Sequence, residues 1–417
     1  MTSAPSSDEV APAAEGTARK RVLLISPQPF YQWRGSPLRV RFDAQALAES
    51  GYAVDLLTMP VGDPFPLPGV THYRAPNIIR AKNLAIGPSP AKAILDLAIA
   101  WKAFQLAVRN RYVSIHGIED AGPIAARVAR RHHVPFVFEK HSDPASYKKG
   151  GVIKGAVMAA YRRVEQYSLR QAAMIIATGP ALAEQARAAN PRVPVHAISD
   201  IPASLAEADP ARAAEIRASW GLPEDAVIAI YVGSFATYQG LDLLFDAIPH
   251  AVKAVPRLYF AVIGGTPEQI AERTAQMAAA GCAEHVIFPP KVHPDLLSTT
   301  LDAADIMLSP RIHGDNTPLK LLDYFKAARP IVACDNPANR LIVGDTAAAL
   351  CEPTPEAFGA TLAALADDPD RRAALAAAGH ELYLSRYNYT TFRAALAAAY
   401  AGLLGQDGTA AGERGTP

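Results

Sequence analysis

The chain has 417 residues, half of them hydrophobic, with 41 Lys plus Arg against 40 Asp plus Glu and a formal net charge of +1. That length exceeds one ordinary core and suits two domains of roughly 150–200 residues each. The even balance hides an asymmetry: basic residues lead by 25 to 15 over residues 1–200 and trail by 16 to 25 over the rest, which suits the first half to anionic partners such as lipid headgroups.

Residues 1–18 are rich in Ala, Pro, Ser and acid, without periodicity, and are expected to form a disordered tail. The apolar run from Val22 to Ser26 after Arg19-Lys20-Arg21 is too short for a signal peptide and reads as a first strand. Further strands are expected at 54–59, 113–117, 136–140, 174–178 and 195–199, with apolar helical stretches between most of them. The rhythm breaks near Ser199-Asp200-Ile201-Pro202, a helix follows over 209–220, and strands resume at 227–233, 259–264, 286–289, 305–308, 330–333 and 348–351. From Asp367 the chain reads as helical to Leu404, ending in a Gly-rich polar tail. Alternation of this kind gives a parallel sheet covered on both faces. The expected division is a domain over 19–200, a second over 201–384, a helix over 385–404 returning to the first, and a tail over 405–417, with a cleft between the two α/β halves.

No stretch approaches the ~20 apolar residues of a membrane helix, and Cys282, Cys334 and Cys351 have neither CxxC nor metal-ligand spacing, as expected of buried thiols in a reducing, cytoplasmic setting. No G-x-G-x-x-G follows a candidate strand, which disfavours a dinucleotide-dependent oxidoreductase. No nucleic-acid module is recognisable, so no nucleic-acid partner is expected.

The most informative segment is 309–334, SPRIHGDNTPLKLLDYFKAARPIVAC. Thr317-Pro318 reads as a helix start, a capping hydroxyl followed by a proline suited to the first turn. Leu319, Leu321, Leu322 and Phe325 form an apolar stripe, and Arg329-Pro330 ends the helix before the next strand. A helix start at a strand end suits an anion, Lys320 adds a charge, and Asp315 and Asp323 bracket the position. That arrangement fits a nucleotide-sugar: diphosphate on the helix end, hydroxyls accepted by the carboxylates.

Over roughly 20–404 the chain resembles the glycosyltransferases of the two-Rossmann (GT-B) fold, specifically the retaining family 4. The resemblance rests first on Ser309-Pro310-Arg311, Asp315, Asp323, Ala327 and Pro330-Ile331-Val332, with Asp at both acidic positions where Glu is usual. It implies that Asp323 accepts from the ribose, that Asp315 contacts the transferred sugar, and that backbone N–H groups between them, at Asn316 and Thr317, hold the diphosphate. A second landmark is Tyr231-Val232-Gly233-Ser234-Phe235-Ala236-Thr237-Tyr238-Gln239-Gly240. Members usually carry Arg and Lys, clamping the diphosphate, where this chain has Ser234 and Gln239. Electrostatic stabilisation of a leaving diphosphate needs positive charge, and the remaining candidates are Lys320 first, then Arg311, with Lys291 weaker.

In the first half, the loop Phe30-Tyr31-Gln32-Trp33-Arg34-Gly35 stands where members carry a Gly-rich cleft loop. Gly35 permits close backbone approach, and Tyr31 and Trp33 are candidates either to stack on a sugar or to brace the loop. Glu119 stands where the family places a polar residue near the reacting sugar, and His141 matches a frequent family histidine. The resemblance further implies a metal-independent, front-side transfer with retention, no cofactor beyond the substrate nucleotide-sugar, a glycan, lipid-linked or small-molecule acceptor, domain closure, and a place in cell-envelope or polysaccharide biosynthesis. Asp367-Asp368-Pro369-Asp370 reads as a loop and not a metal site. Residues 148–170 carry Lys148, Lys149, Lys154, Arg162, Arg163 and Arg170 interleaved with apolar residues, a pattern open either to peripheral contact with an anionic inner-membrane face or to an ordinary solvated helix. The alternatives are an epimerase or phosphorylase on the same fold, and an inactive partner or binding protein, favoured by the two missing cations.

Overall fold

The computed structural model describes residues 19–32, 35–82, 84, 89–143, 152–312, 318–344 and 346–405. The tail expected at 1–18 lies outside the described residues, as does that expected at 405–417 except for Gly405, which ends the last helix. Two sheets, each wholly parallel, define two α/β domains.

The first sheet has seven strands: β1 (Arg21–Ile25), β2 (Ala53–Thr58), β3 (Val70–Arg74), β4 (Ser114–Ile118), β5 (Phe136–Lys140), β6 (Met174–Ala177) and β7 (Val195–Ala197), in the order β3-β2-β1-β4-β5-β6-β7. Helices α1 (Gly35–Glu49), α2 (Pro90–Arg109), α3 (Gly122–His132), α4 (Val152–Gln171) and α5 (Pro180–Ala189) connect them. Both faces are covered, so the strands are apolar throughout: Val22 and Leu24 pack on the α1 side, Leu23 and Ile25 on the α2–α3 side.

The second sheet has six strands: β8 (Val227–Gly233), β9 (Leu258–Gly264), β10 (Val286–Ile287), β11 (Ile306–Ser309), β12 (Ile331–Cys334) and β13 (Ala349–Cys351), ordered β10-β9-β8-β11-β12-β13. Its helices are α6 (Pro210–Ser219), α7 (Leu241–Ala254), α8 (Pro267–Ala279), α9 (Leu297–Asp302), α10 (Lys320–Lys326), α11 (Pro337–Val343), α12 (Pro355–Ala366) and α13 (Pro369–Ser385). Proline opens α2, α3, α5, α6, α8, α11, α12 and α13, where its missing N–H is harmless and its fixed φ suits the first turn. Asp209, Thr266, Thr354 and Asp368 cap the helices that follow them. The cap role of Asp368, and the ion pair of Asp367 with Arg257, give the acidic run at 367–370 a structural purpose.

The last helix, α14 (Tyr389–Gly405), leaves the second domain and buries Phe392, Leu396, Ala399 and Tyr400 in the first domain's core, against α1. Burial of side chains such as Phe392 and Leu396 contributes roughly 1.5–3 kcal/mol each, enough to hold the helix there.

Four expectations need correction. Strand β3 went unread because it is a half-exposed edge strand, Val-Thr-His-Tyr-Arg, with little apolar signal. The strand expected at 286–289 stops at Ile287, and that expected at 195–199 stops at Ala197. The donor-side helix, expected to start at Thr317-Pro318, begins at Lys320, with Leu319 in the cap position and no side-chain cap bond.

Candidate active site

In each sheet the winding direction reverses once, between β1 and β4 and between β8 and β11. Connections leave in opposite directions there, and open parallel sheets form a crevice at the carboxyl ends of those strands. The described candidates collect at these ends. Gly35 follows β1, Glu119 follows β4, and His141 follows β5. Gly233 ends β8, Ser234 and Gln239 follow it, Arg311 follows β11, and Lys320 and Asp323 lie on α10. Asp315, Asn316, Thr317 and Trp33 lie outside the described residues.

On the second-domain side, the Lys320 ammonium donates to Gln239 Oε1 at 2.8 Å and stands 4.0 Å from the centroid of the Tyr231 ring. Tyr231 is fixed in turn, its hydroxyl donating to the Ser234 carbonyl at 2.8 Å. Gly233, at φ +157°, leaves the space beside the amine open: a Cβ there would come within 3.2 Å of Lys320 Nζ and 2.9 Å of Tyr231 Oη. Gly240, at φ +74°, lets the turn carrying Gln239 close onto the end of β11, where a Cβ would collide with the Pro310 carbonyl oxygen at 1.9 Å. Arg311 is buried, its guanidinium 5.6 Å from the Tyr238 ring centroid. Burial, and the nearby Arg311 charge, bring the Lys320 ammonium down to about 7. One of the two positions that lack the family's cations therefore holds a neutral amide that positions a lysine from α10. Lys291, the weaker candidate, is exposed on the loop after β10.

Asp323 turns toward the connection between the domains. It is 7% exposed, and Oδ1 accepts from the Ser204 N–H of the interdomain connection at 3.3 Å. Burial pushes its carboxyl up to about 7, although the Ser204 and Ala203 N–H groups oppose the shift. Lys326, one turn on, donates to the Ser204 carbonyl at 3.1 Å. In this structure both side chains of α10 hold the connection between the domains.

On the first-domain side, His141 is gripped from two directions: Nδ1 lies 3.0 Å from Ser36 Oγ, and Nε2 lies 3.1 Å from Glu139 Oε1. Burial disfavours the charged ring, but the hydrogen bond and charge of Glu139 outweigh it and raise the His141 pKa. Glu119 sits at φ +50°, in the left-handed region, and its carboxylate accepts from the His141 N–H at 2.7 Å and the Ser142 hydroxyl at 3.0 Å. It thus ties the end of β4 to the end of β5. Tyr31 is 8% exposed, with its ring 4.4 Å from that of Phe65, so of its two readings the loop brace is the one observed. A Cβ on Gly35 would lie 3.6 Å from Leu319 Cδ1, so the start of α1 faces the entry to α10 across the cleft.

Beneath His141 is a buried charge network that sequence reasoning missed. Arg39 Nε stands 2.9 Å from Glu139 Oε1 and 3.2 Å from Asp43 Oδ1, and Nη1 donates to the Ile198 carbonyl at 2.8 Å. His116 bridges Glu139 Oε2 at 2.8 Å and the Tyr400 hydroxyl of α14 at 2.8 Å. Burial favours protonation of Glu139, but Arg39 and the two histidines outweigh it and hold its carboxylate well below the usual range. Burial and the neighbouring Glu139 push the Asp43 carboxyl well above the usual carboxylate range, so of the two acids Asp43 favours the neutral form. Asp43, Glu139 and His141 are also the one grouping of three potential metal ligands among the described residues, but the Arg39 guanidinium already supplies the positive charge between its carboxylates. The available signal was local: Arg39 and Asp43 stand four apart inside an apolar helix, and Glu139 interrupts the buried strand Phe-Val-Phe-Glu-Lys.

Residues 213–382 match the family of group 1 glycosyl transferases, and residues 34–200 match the glycosyl transferase 4-like domain. A 2-deoxystreptamine glucosyltransferase of Streptomyces kanamyceticus is 27% identical over 297 residues, covering 65% of this chain and 74% of that protein. Sucrose-phosphate synthase of Thermosynechococcus elongatus superposes with a TM-score of 0.75 at 19% identity, over 93% of this chain and 100% of that one. Anabaena HepE, solved with UDP and glucose, gives a TM-score of 0.69 at 14% identity, over 92% and 100%. Two parallel-sheet domains with this topology and these neighbours define the GT-B fold. With a glycosyl transferase family matched over each domain, the chain is a glycosyltransferase of the group 1 type.

Proposed function

We propose that the protein transfers a sugar from a nucleotide-sugar to an acceptor hydroxyl with retention of configuration and without a metal ion, as a member of family 4. The observation that carries this is Lys320: a desolvated amine at the switch point of the second sheet, hydrogen-bonded to a neutral partner, beside a glycine that leaves its flank open. A leaving diphosphate placed there meets positive charge in a low-dielectric setting, where it stabilises the developing anion most strongly. Arg311 adds to the same field. Attack from the same face as the departing phosphate lets that phosphate take the acceptor proton, so no protein nucleophile is needed. His141, with Nε2 held by Glu139, meets the sugar or the incoming hydroxyl through Nδ1 once that group displaces the Ser36 hydroxyl. Asp323 accepts from the ribose once the nucleotide competes with the Ser204 N–H, and Asp315 contacts the transferred sugar. The acceptor is a glycan, a lipid-linked sugar or a polyol.

The test is calorimetric titration with UDP, GDP, ADP and dTDP in turn, followed by incubation of the matching nucleotide-sugar with candidate acceptors and determination of the product anomer. Selective binding of one nucleotide and an acceptor-dependent product with the donor's anomeric configuration are expected. Binding of none of the four would overturn the transfer reading in favour of an inactive partner protein.

A further inference from the structure

Helix α2 carries an outer face that its role in the fold does not explain. Its inner side chains, Leu95, Ala98, Ile99, Ala103 and Leu106, are buried in the first domain. Yet Leu97 is 71% exposed, Trp101 57%, Val108 78% and Ile94 42%. At about 100° per residue these four fall within an arc of about 60°, a stripe running about 21 Å along the helix. The loop leading toward the helix exposes Ile78 and Ile79 beside Arg80 and Lys82.

The charge around this stripe is one-sided. Helices α2, α3 and α4 pack in succession along one side of the sheet. They carry three, three and four Lys or Arg respectively, against two acids, Asp96 and Glu165. Both acids are already paired, Asp96 with Lys92 at 3.1 Å and Glu165 with Lys140. Exposed arginines, including Arg130, Arg131, Arg162 and Arg163, are left without exposed acids on these helices among the described residues.

We infer that this face docks on an anionic lipid bilayer, with the α2 stripe inserted into the headgroup–acyl boundary and the α3 and α4 arginines on lipid phosphates. An amphipathic helix with a Trp and bulky aliphatic side chains on one side and basic residues around it has the composition for that position. A second copy of this chain would bring two arginine-rich faces together. A nucleic acid would engage the arginines but leave Leu97 and Val108 in water. The basic stretch at 148–170 contributes α4 to this surface, but the apolar anchor is α2. Because α2 begins on the side of the sheet where the strands end, docking places the mouth of the cleft near the headgroups.

The experiment is cosedimentation of the full chain with large unilamellar vesicles of phosphatidylcholine alone, or of phosphatidylcholine and phosphatidylglycerol in about equal parts. Binding to the anionic vesicles, weakened by salt, is expected. The double variant Leu97→Ser with Trp101→Ser, at two exposed positions, should lower the partition coefficient about tenfold or more with an unchanged far-UV spectrum and melting temperature. Arg162→Glu with Arg163→Glu should do likewise. Trp101 emission should shift to the blue on binding and be quenched by acyl-brominated lipid, and Trp101→Phe should remove both changes while keeping most of the binding. Absence of binding to anionic vesicles, or binding undiminished by the double serine variant, would overturn the proposal. A wild-type dimer that the double variant dissociates, without vesicle binding, would assign the stripe to a second copy instead. The vesicles contain neither sugar donor nor acceptor, so the result is independent of the transfer reaction.

Discussion

Replacing Lys320 with methionine tests the electrostatic reading most directly, because the variant keeps much of the stem against Tyr231 and removes only the ammonium. A hydrogen bond to a charged group contributes roughly 1.5–3 kcal/mol, so affinity for the preferred nucleotide-sugar should fall about 10- to 150-fold. The pH dependence gives a sharper signature. In the free protein the Lys320 ammonium titrates at about 7, and a bound diphosphate favours the charged form and raises that value. Binding therefore takes up a proton near and above neutrality. Affinity is full below about pH 7 and falls as pH rises, by at most about tenfold per unit, until the bound-state pKa is reached. Asp323, pushed up to about 7 by burial, titrates in the same window with the opposite sense, since a carboxylate accepts a ribose hydroxyl better than a carboxylic acid does. The difference between the wild-type and Lys320→Met slopes isolates the lysine. Calorimetry with the nucleotide-sugar, whose diphosphate does not itself titrate near neutrality, measures both quantities between about pH 6 and 8 in buffers of different ionisation enthalpy. A change in Kd below about threefold, with coincident pH slopes, would refute the placement of Lys320 at the diphosphate.

Asp323→Asn keeps an oxygen for the Ser204 N–H but loses the charge, so nucleotide affinity should drop by about tenfold while the urea unfolding midpoint stays close to wild type; an unchanged Kd would remove Asp323 from the ribose. Arg39→Met should act on stability instead. It strips the charge partner from Glu139, and removing one member of a buried pair costs about 3–5 kcal/mol. Adding Glu139→Gln should recover much of that loss, because the two side chains share one network. The midpoint of the first domain's urea transition reads both variants, and a single-variant loss below about 1 kcal/mol would contradict the assigned pairing.

Much of the fold could be read from the chain because period and punctuation agree. Apolar runs such as Val22-Leu23-Leu24-Ile25 are flanked by helices that announce themselves with proline and a capping side chain. Where the signal depends on position in the sheet it fails, as at β3, whose edge location lets polar residues stand where a central strand needs apolar ones. The site divides the same way. The strand-end positions of Gly233 and His141 were legible because the strands themselves were. The Lys320–Gln239 pairing joins positions 81 apart, and the tie between His116 and Tyr400 spans 284. No local pattern encodes such pairings: they depend on how the chain returns, above all on α14 crossing back onto α1. Asp323 was placed on a helix at the cleft by its sequence context, but its present partner, the interdomain backbone, could not be inferred from composition.

The two sides of the cleft handle charge in opposite ways, and that contrast fits the role proposed for each. In the first domain the charges of Arg39 and Glu139 offset one another, with Asp43 favouring its neutral form beside them, and what the network yields is a fixed ring position for His141, held through Glu139. A group that must orient a neutral hydroxyl needs geometry more than charge. On the other side Lys320 is given a neutral amide in place of a carboxylate. A glutamate in that role would stabilise the ammonium in the empty site, lift its pKa and compete with an incoming phosphate for the same donors. With Gln239 the amine is located but not neutralised, and part of its desolvation penalty is carried by the folded protein before the anion arrives. If the proposed diphosphate binds there, it relieves that penalty, and the amine's charge meets the negative charge that builds on the leaving group. On the proposed reading, Gln239 in place of a family cation moves positive charge from the β8 loop to α10, and the electrostatics of transfer then depend chiefly on Lys320.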